Sequence, residues 1–277
     1  MLLGAQLRRL REAKRVSREE AGWEIRASES KISRIELGRV GFKERDVADL
    51  LTLYGVVDEE QRAALLSLAR EANTPGWWRT YGDLLPSWFQ SYLGLEGAAA
   101  LIRTYEVQFV PGLLQTHDYA RAVVLLAHAG ERTNEVERRV ELRMARQELL
   151  TQLAPPRLWA VVDEAALRRP IGGPQVMRTQ LGHLAEVTKL PHVRLQVVPF
   201  DAGGHAGVGG AFTMLRFGDP DLPDVVYVEQ LTSALYLDKR DDVDQYAAAM
   251  ERLSVQANPP DDTPEILDRI LRDLDRA

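Results

Sequence analysis

No cysteine occurs in the sequence. This excludes disulfides, thiolate metal sites and a cysteine nucleophile, and it fits a reducing cytoplasm. Long apolar runs are missing as well. The longest, such as residues 122–127, are far too short to span a bilayer, and the opening MLLGAQLRRLREAKR lacks the apolar centre of a signal peptide. A cytoplasmic protein with no membrane partner is expected. The five histidines, at 117, 128, 183, 192 and 205, show no HExxH spacing. No serine sits in a G-x-S-x-G elbow. An overall positive excess is lacking too: the formal net charge is −6, which argues mildly against a nucleic-acid partner.

The distribution of charge argues the other way. Residues 1–45 carry 12 Lys and Arg against 7 Asp and Glu, a net +5, and the remainder carries −11. A basic end on an acidic body implies one part built for a polyanion and another built for something else. The 277 residues allow one large domain or two modest ones.

Leu3, Leu7 and Leu10 recur at helical spacing with arginines between them, and Val16 follows as a loop anchor. Ser17 then precedes Arg18-Glu19-Glu20. This is a capping-box start, because the serine hydroxyl can accept from the amide three residues on while Glu20 reaches back. The helix should run to about Ile25, with Ala21 and Ile25 on one face. Ser28 is the next N-cap. Behind it, Ile32 and Ile35 lie three apart and face inward together, against Ala21, Ile25 and Leu7, so residues 29, 30, 33 and 34 point away from the core. Gly38 is placed to end this helix. Three short helices with tight turns, the third presenting a polar outer face, form the helix-turn-helix layout, in which the second motif helix lies in the major groove. Periodicity alone also allows a solvated helix in a small bundle.

The segment SREEAGWEIRASESKISRIELGR, residues 17–39, resembles without gaps the helix-turn-helix of phage-repressor-like (Xre/Cro type) regulators, most strongly in KISRIELG. The resemblance implies binding to double-stranded DNA. It implies that Ser17 and Arg18 hold the DNA backbone, that Glu29, Ser30, Ser33 and Arg34 face base edges, and that Lys31 and Arg39 sit near phosphates. Ser28, the cap of the second motif helix, belongs to the same candidate set. The chemistry agrees in kind: arginine can donate twice to guanine, serine can serve several bases, and glutamate can accept from cytosine. Flanking cations neutralise phosphate and set the salt dependence. Two positions depart from the pattern. Arg26 stands at the turn position usually filled by glycine, which requires either a differently shaped turn or accepted strain. Trp23 stands where a polar residue is common, and either packs on a neighbouring segment or lies on the surface.

Two further helices complete a five-helix domain over residues 1–75. Val47, Leu50, Leu51 and Tyr54 form a stripe ended by Gly55. Asp58 with Gln61 gives a second capping box, followed by an inward stripe of Ala64, Leu65, Leu68, Ala69 and Ala72. Asn73-Thr74-Pro75-Gly76 is the candidate linker to a second domain, residues 76–277. Six aromatics follow: Trp77, Trp78, Tyr81, Trp88, Phe89 and Tyr92. They could line a ligand pocket, anchor two domains or form core, and packing is the commoner use. Residues 96–106 read as a helix, and residues 110–124 as a Pro-Gly turn, an apolar segment and another helix. Residues 134–153 read as the longest helix. Arg139, Arg143 and Arg146 share one of its sides, and Glu135 precedes Arg139 at ion-pair spacing, so a solvated or partner-facing helix is expected rather than a second DNA contact. After Pro155-Pro156 come β-rich runs at 157–163, 193–199, 211–217 and 225–229, with a fifth at 235–238. Helices are expected at 177–188 and 243–253, and a last one carries Ile266, Ile270 and Leu274. Gly172-Gly173-Pro174, Gly203-Gly204 and Asp219-Pro220 mark turns. The expected class is mainly α with an α+β second domain, a helical region plus a small, largely antiparallel sheet.

The succession WFQSYLGLE, VPGLLQTHDYARA, ELRMARQELL, DEAALRR, VRLQVVPF and VVYVEQ resembles the C-terminal domain of actinobacterial helix-turn-helix regulators of the WhiJ-like type, with PGLLQT its most specific piece. The resemblance implies a repressor-like regulator whose C-terminal domain has no assigned chemistry and binds a protein partner or a ligand. It also implies a small partner protein encoded nearby, in pairs likened to toxin–antitoxin systems. An antitoxin-like protein with autoregulatory DNA binding is therefore one alternative.

The best place for a catalyst is DAGGHAGVGGAF, residues 201–212. It follows a strand and is rich in glycine, yet it lacks the lysine and hydroxyl residue of a phosphate loop, and its glycines miss the dinucleotide spacing. Asp201 and His205 could share a metal, but no third ligand stands nearby. His205 in a flexible exposed loop is the favoured reading, with a mobile lid over a pocket, and so a small-molecule sensor or enzyme, as the other. No catalytic set, metal or cofactor is expected. A homodimer is expected, because one motif reads only a few base pairs and two on a symmetric dimer reach useful affinity. The sequence identifies neither an effector nor an operator.

Overall fold

The computed structural model describes residues 2–36, 38, 40–73, 76–219 and 222–276. Arg39, the Thr74-Pro75 pair of the candidate linker and Pro220 lie outside the described residues. The chain divides into two compact units, residues 1–79 with 219–223, and residues 80–218 with 224–277. No helix among the described residues is long and apolar enough to cross a membrane.

The first unit contains α1 (Leu2–Ala13), α2 (Arg18–Glu24), α3 (Glu29–Glu36), α4 (Glu44–Leu53) and α5 (Glu59–Asn73). Leu3, Leu7, Ala21, Ile25, Ile32, Ile35, Leu50 and Leu51 are buried in one apolar cluster, with Val16 packed at its edge. The first four helices therefore contribute the stripes that their spacing predicts. Asp58 Oδ1 accepts from the Gln61 amide at 2.8 Å, which starts α5. Ala64 is a correction: it is exposed, and Leu66 packs on the cluster beside Leu68. The inward side of α5 centres on Leu65 and Ala69, and the small Ala64 falls just off it.

Glu36 ends α3 on the inward face, one turn after Ile32. Its carboxylate accepts Arg11 Nε at 2.5 Å and Nη2 at 3.2 Å, and Arg18 Nε at 3.0 Å. Arg11 Nη1 also donates to the Val16 carbonyl at 2.9 Å. One buried carboxylate thus ties together α1, the start of α2 and the end of α3. Its hydrogen bonds raise the Arg11 pKa. Burial, and then the same carboxylate, push the Tyr54 hydroxyl well up. Gly4 lets α1 approach α3: a Cβ there would stand 2.5 Å from the Ile35 carbonyl oxygen and 2.6 Å from that of Glu36.

The second unit is built on a mixed six-stranded sheet of order β3-β2-β1-β4-β5-β6. The chain enters through α6 (Ser87–Ala98) and passes directly into β1 (Ala99–Glu106). Next come α7 (His117–Ala127), α8 (Thr133–Gln147), β2 (Arg157–Asp163), α9 (Glu164–Arg168) and α10 (Pro174–Val187). The remainder is β3 (Val193–Val198), β4 (Phe212–Phe217), β5 (Val225–Glu229), β6 (Ala234–Leu237), α11 (Arg240–Gln256) and α12 (Thr263–Leu274). Three ladders, β1–β4, β4–β5 and β5–β6, are antiparallel, as expected of a largely antiparallel sheet. The other two, β1–β2 and β2–β3, are parallel. Their connections are long helical crossovers, α7 and α8 for the first and α9 and α10 for the second, as parallel neighbours require.

Residues 96–106 are not one helix: 96–98 end α6, and 99–106 are extended. The segment AALIRTYE is the central strand β1, where Ile102 and Thr104 on one face and Tyr105 on the other are all buried. A strand covered on both faces loses its alternation, and Leu101, Ile102 and Tyr105 then mimic helical spacing. The aromatic run is core rather than pocket where it reaches the sheet. Phe89 stacks on Tyr92, Tyr92 lies 4.2 Å from Tyr227, and Tyr227 lies 5.3 Å from Tyr236.

The arginines of α8 also turn out differently. They are neither solvated nor aimed at a partner. Arg146 donates to both oxygens of Glu96 at 3.0 and 2.8 Å, with its guanidinium over Phe89 and Tyr92. Arg139 pairs with Glu131 at 2.8 and 2.9 Å rather than with Glu135. Arg143 donates to Gln115 Oε1 at 2.9 Å. Gln147 donates to the carbonyls of Gly112 and Gln115, and Gln180 to that of Leu114, so the PGLLQT segment is held by side chains from two helices. Burial, and then Arg146, lower the Arg143 pKa to about 10, while burial, and then Glu229, raise that of Glu106 to about 8.

Two substitutions test the packing of the first unit by urea unfolding. Glu36→Ala removes the buried partner of Arg11, leaving it only the exposed Glu12 at 3.5 Å, and is expected to cost about 3 kcal/mol. Gly4→Ala drives a methyl group into the α3 backbone and is expected to cost about 1–3 kcal/mol. An unfolding midpoint unchanged in either variant would refute the corresponding contact.

Candidate nucleic-acid interface

Ser17 starts α2 with a complete capping box. Its Oγ accepts from the Glu20 amide at 3.1 Å, and its own amide donates to Glu20 Oε2 at 2.7 Å. Those bonds hold the Glu20 carboxylate below its usual pKa. At the other end of α2, the Arg26 amide donates to the Trp23 carbonyl at 3.1 Å and the Ala27 amide to that of Gly22 at 2.8 Å. This pairing is the Schellman end of a helix, whose penultimate residue takes the left-handed conformation. That residue is Arg26, at φ +53°. Strain is accepted, and the turn keeps its ordinary shape. Gly22 permits the close return, since a Cβ there would lie 2.7 Å from the Ala27 carbonyl oxygen. Ser28 then accepts from the Lys31 amide at 3.2 Å and starts α3.

The buried Ile32 and Ile35 fix the roll of α3. Its other side leaves Glu29, Ser30 and Arg34 exposed and Ser33 half-buried. Arg34 lies along its own helix, with Nε 3.4 Å from the Ser30 carbonyl oxygen. These four residues share the outer face. Two others of the expected set are engaged within the unit. Lys31 Nζ pairs with Asp46 at 2.9 Å, and Arg18 pairs with Glu36. Ser17 and Ser28 remain exposed while capping. Trp23 is 78% exposed and so lies on the surface.

A second strained arginine went unnoticed in the sequence. The Arg15 amide donates to the Glu12 carbonyl and the Val16 amide to that of Arg11, so α1 has the same Schellman end as α2, with Arg15 at φ +59°. By contrast, the turns after α3 and α4 use Gly38 at φ +62° and Gly55 at φ +76°. A left-handed non-glycine residue costs roughly 1–2 kcal/mol. Both arginine side chains are exposed, so burial does not explain their choice. The signal available in the sequence was an arginine two residues past a helix end, where glycine is the usual choice.

In the second unit, the 201–212 loop does not hold His205 in a flexible exposed position. His205 is half-buried. Its Nδ1 accepts from the Gly207 amide at 3.2 Å, and its Nε2 lies 3.4 Å from Asp163 Oδ2. Gly207 packs so closely on Tyr105 that a Cβ would come within 2.3 Å of the ring. The tip beyond is open, with Val208 exposed. The histidine's neighbour is thus Asp163 rather than Asp201. No group of three His, Asp or Glu able to hold a metal forms among the described residues.

A model described as a helix-turn-helix domain matches residues 2–65, which span α1 to α4 and the first half of α5. That match supports a DNA-binding regulator and agrees with the turn geometry of α2 and α3. No curated protein and no solved structure matched the chain. A second model, a domain of unknown function (DUF5753), matches residues 89–269, from within α6 to within α12. Because this match takes in more than half of the chain, the protein belongs to the family defined by that domain, DUF5753.

Proposed function

We propose that the protein is a sequence-specific transcriptional regulator of the Xre/Cro kind, repressor-like and dimeric. Residues 1–75 read double-stranded DNA, and residues 76–277 bind a ligand or protein partner or form the dimer, as in the WhiJ-like regulators. One observation carries the reading: the outer face of α3 presents Glu29, Ser30, Ser33 and Arg34 away from a core that grips the helix by Ile32 and Ile35. These are side chains that can pair with base edges. Arg34 is assigned to a guanine, Ser30 and Ser33 to neighbouring bases, and Glu29 to a cytosine.

The strained arginines support the same reading. Backbone strain persists where the residue does something a glycine cannot. Arg15 and Arg26 end the two helices before α3 with exposed positive charge, which suits phosphate contacts. Lys31 and Arg18, each already beside a carboxylate, receive smaller shares of phosphate binding. Arg39 completes the set on the strength of the motif. Dimerisation follows from reach, since two copies on half-sites about one helical turn apart multiply the contacts of one.

Genome-wide mapping of bound DNA tests the proposal as a whole. A short motif repeated with two-fold symmetry is expected, and the absence of any enriched motif would overturn it. Arg34→Ala is expected to weaken specific binding by about 1–3 kcal/mol and to relax one base position, as read by gel-shift titration against a set of single-base operator variants. Arg26→Gly is expected to raise the unfolding midpoint by relieving a strain of roughly 1 kcal/mol. The same substitution should lower the slope of log affinity against log salt by about 1. A stabilised variant with an unaltered slope would remove Arg26 from the interface.

A further inference from the structure

One face of the sheet gathers four arginines around a tryptophan. Arg103 of β1 stands opposite Trp159 of β2, which stands opposite Arg194 of β3. Two residues along, Arg216 of β4 stands opposite Leu101, which stands opposite Arg157. Residues two apart on a strand share a face. Further along this face, Tyr105, Val161 and Val198 are covered by Met250 and Leu253 of α11. The arginine end is left as a half-open cleft of about 680 Å³, walled on one side by residues 188–192 and on another by Pro260 and Asp261.

The charges in this cleft are unbalanced. Arg216 is neutralised by Asp224 at 2.8–3.1 Å. Arg103, Arg157 and Arg194 form no hydrogen bond or ion pair among the described residues. The guanidiniums of Arg103 and Arg194 lie 5.9 and 5.0 Å from the Trp159 ring centroid. Trp159 is itself fixed by donation from Nε1 to Gln196 Oε1 at 2.7 Å. A ring face orients a cation but leaves its charge and donors unused. Arg103 is half-buried; burial and then Arg216 lower its pKa, and Asp224 and Glu251, neither in ion-pair contact with it, offset this only in part. Asp261, at the rim, is the one carboxylate among the lining residues described. Elsewhere in the same unit, the enclosed guanidiniums of Arg139 and Arg146 each meet a carboxylate, and that of Arg143 meets the Gln115 amide oxygen, so each has an acceptor within the chain. Arg103, half-buried with its donors unused, is costly to hold unless something outside the chain completes it, and the exposed Arg157 and Arg194 beside it are free to share that partner.

We propose that this cleft binds a small polyanion, a compact molecule with two or more phosphate or carboxylate groups, gripped by Arg103, Arg157 and Arg194. The planar guanidinium fork matches both kinds of group two hydrogen bonds at a time. The volume lies within the roughly 300–1,000 Å³ of small-molecule sites, whereas a duplex would need an extended strip of cations. That such a ligand acts as an effector rests on the regulator reading above. Its binding does not, and it is measured without DNA.

Isothermal titration of the full chain with inorganic pyrophosphate and, separately, with citrate, at matched ionic strength, tests the site. Saturable one-to-one binding of at least one of them is expected, and the stronger of the two shows which acid group the arginines prefer. Arg157→Gln and Arg194→Gln alter exposed side chains and so spare folding. Each is expected to weaken that binding tenfold or more, and Arg103→Gln at least as much. The site is overturned if neither anion binds the unaltered chain, or if the Arg157 and Arg194 variants bind as well as it does. It is equally overturned if the unaltered chain binds neither anion while these variants lose affinity for duplex DNA, which would make the face a DNA contact. A null titration leaves the α3 reading intact, because that reading is tested on DNA alone.

Discussion

The carboxylate of Glu36 holds the first unit in the arrangement on which its function depends. Apolar burial of Ile32 and Ile35 sets which side of α3 faces the core, but oily contact is not directional. The paired bonds to Arg11 and the third bond to Arg18 are directional, and they pin the end of α3 against α1 and the start of α2. Gly4 brings α1 against the same end of α3. The proposed placing of α3 in a DNA groove requires a fixed angle, and hydrogen-bonded charge at the foot of the helix supplies such a restraint.

The second unit uses the same chemistry with a different outcome at two places. Where Arg146 meets Glu96, the charge is internal and balanced, and the neighbouring Phe89 and Tyr92 pack over it. Across the sheet, Arg103 and Arg194 meet only the ring of Trp159. The contrast lies in the partner rather than the residue type. An arginine answered by a carboxylate, or by a fixed amide oxygen as Arg143 is by Gln115, is satisfied within the chain, whereas the donors of the half-buried Arg103 are not.

Much of the first unit was legible in the sequence because its signals are local. Ser17 with Glu20, Ser28 before α3, the inward isoleucines and Gly55 each act within a turn or two, and the structure places each where spacing predicts. Glu36 was not legible. An acid four residues after Ile32 interrupts an apolar stripe, but its partners stand 25 and 18 residues away. In the second unit, the sequence of β1 reads as a helix because burial on both faces erases its alternation. The arginines of α8 were read as surface because Glu135 offered the expected spacing, whereas Glu131 and Glu96 sat closer in space. His205 was read as a free loop residue because nothing in the loop hints at Asp163, which lies at the end of β2.

What the chain determined through its sequence alone is its inventory of local units: caps, stripes, turns, a basic end, and a third helix whose outer side is polar. Those follow from the helical and extended repeats, which are written in neighbouring residues. Only the tertiary structure decided which charges are answered and which are left open. Glu36 and Glu96 find their cations, and Arg103, Arg157 and Arg194 form no ion pair among the described residues, because tertiary packing, strand order and register bring together side chains that the sequence keeps far apart.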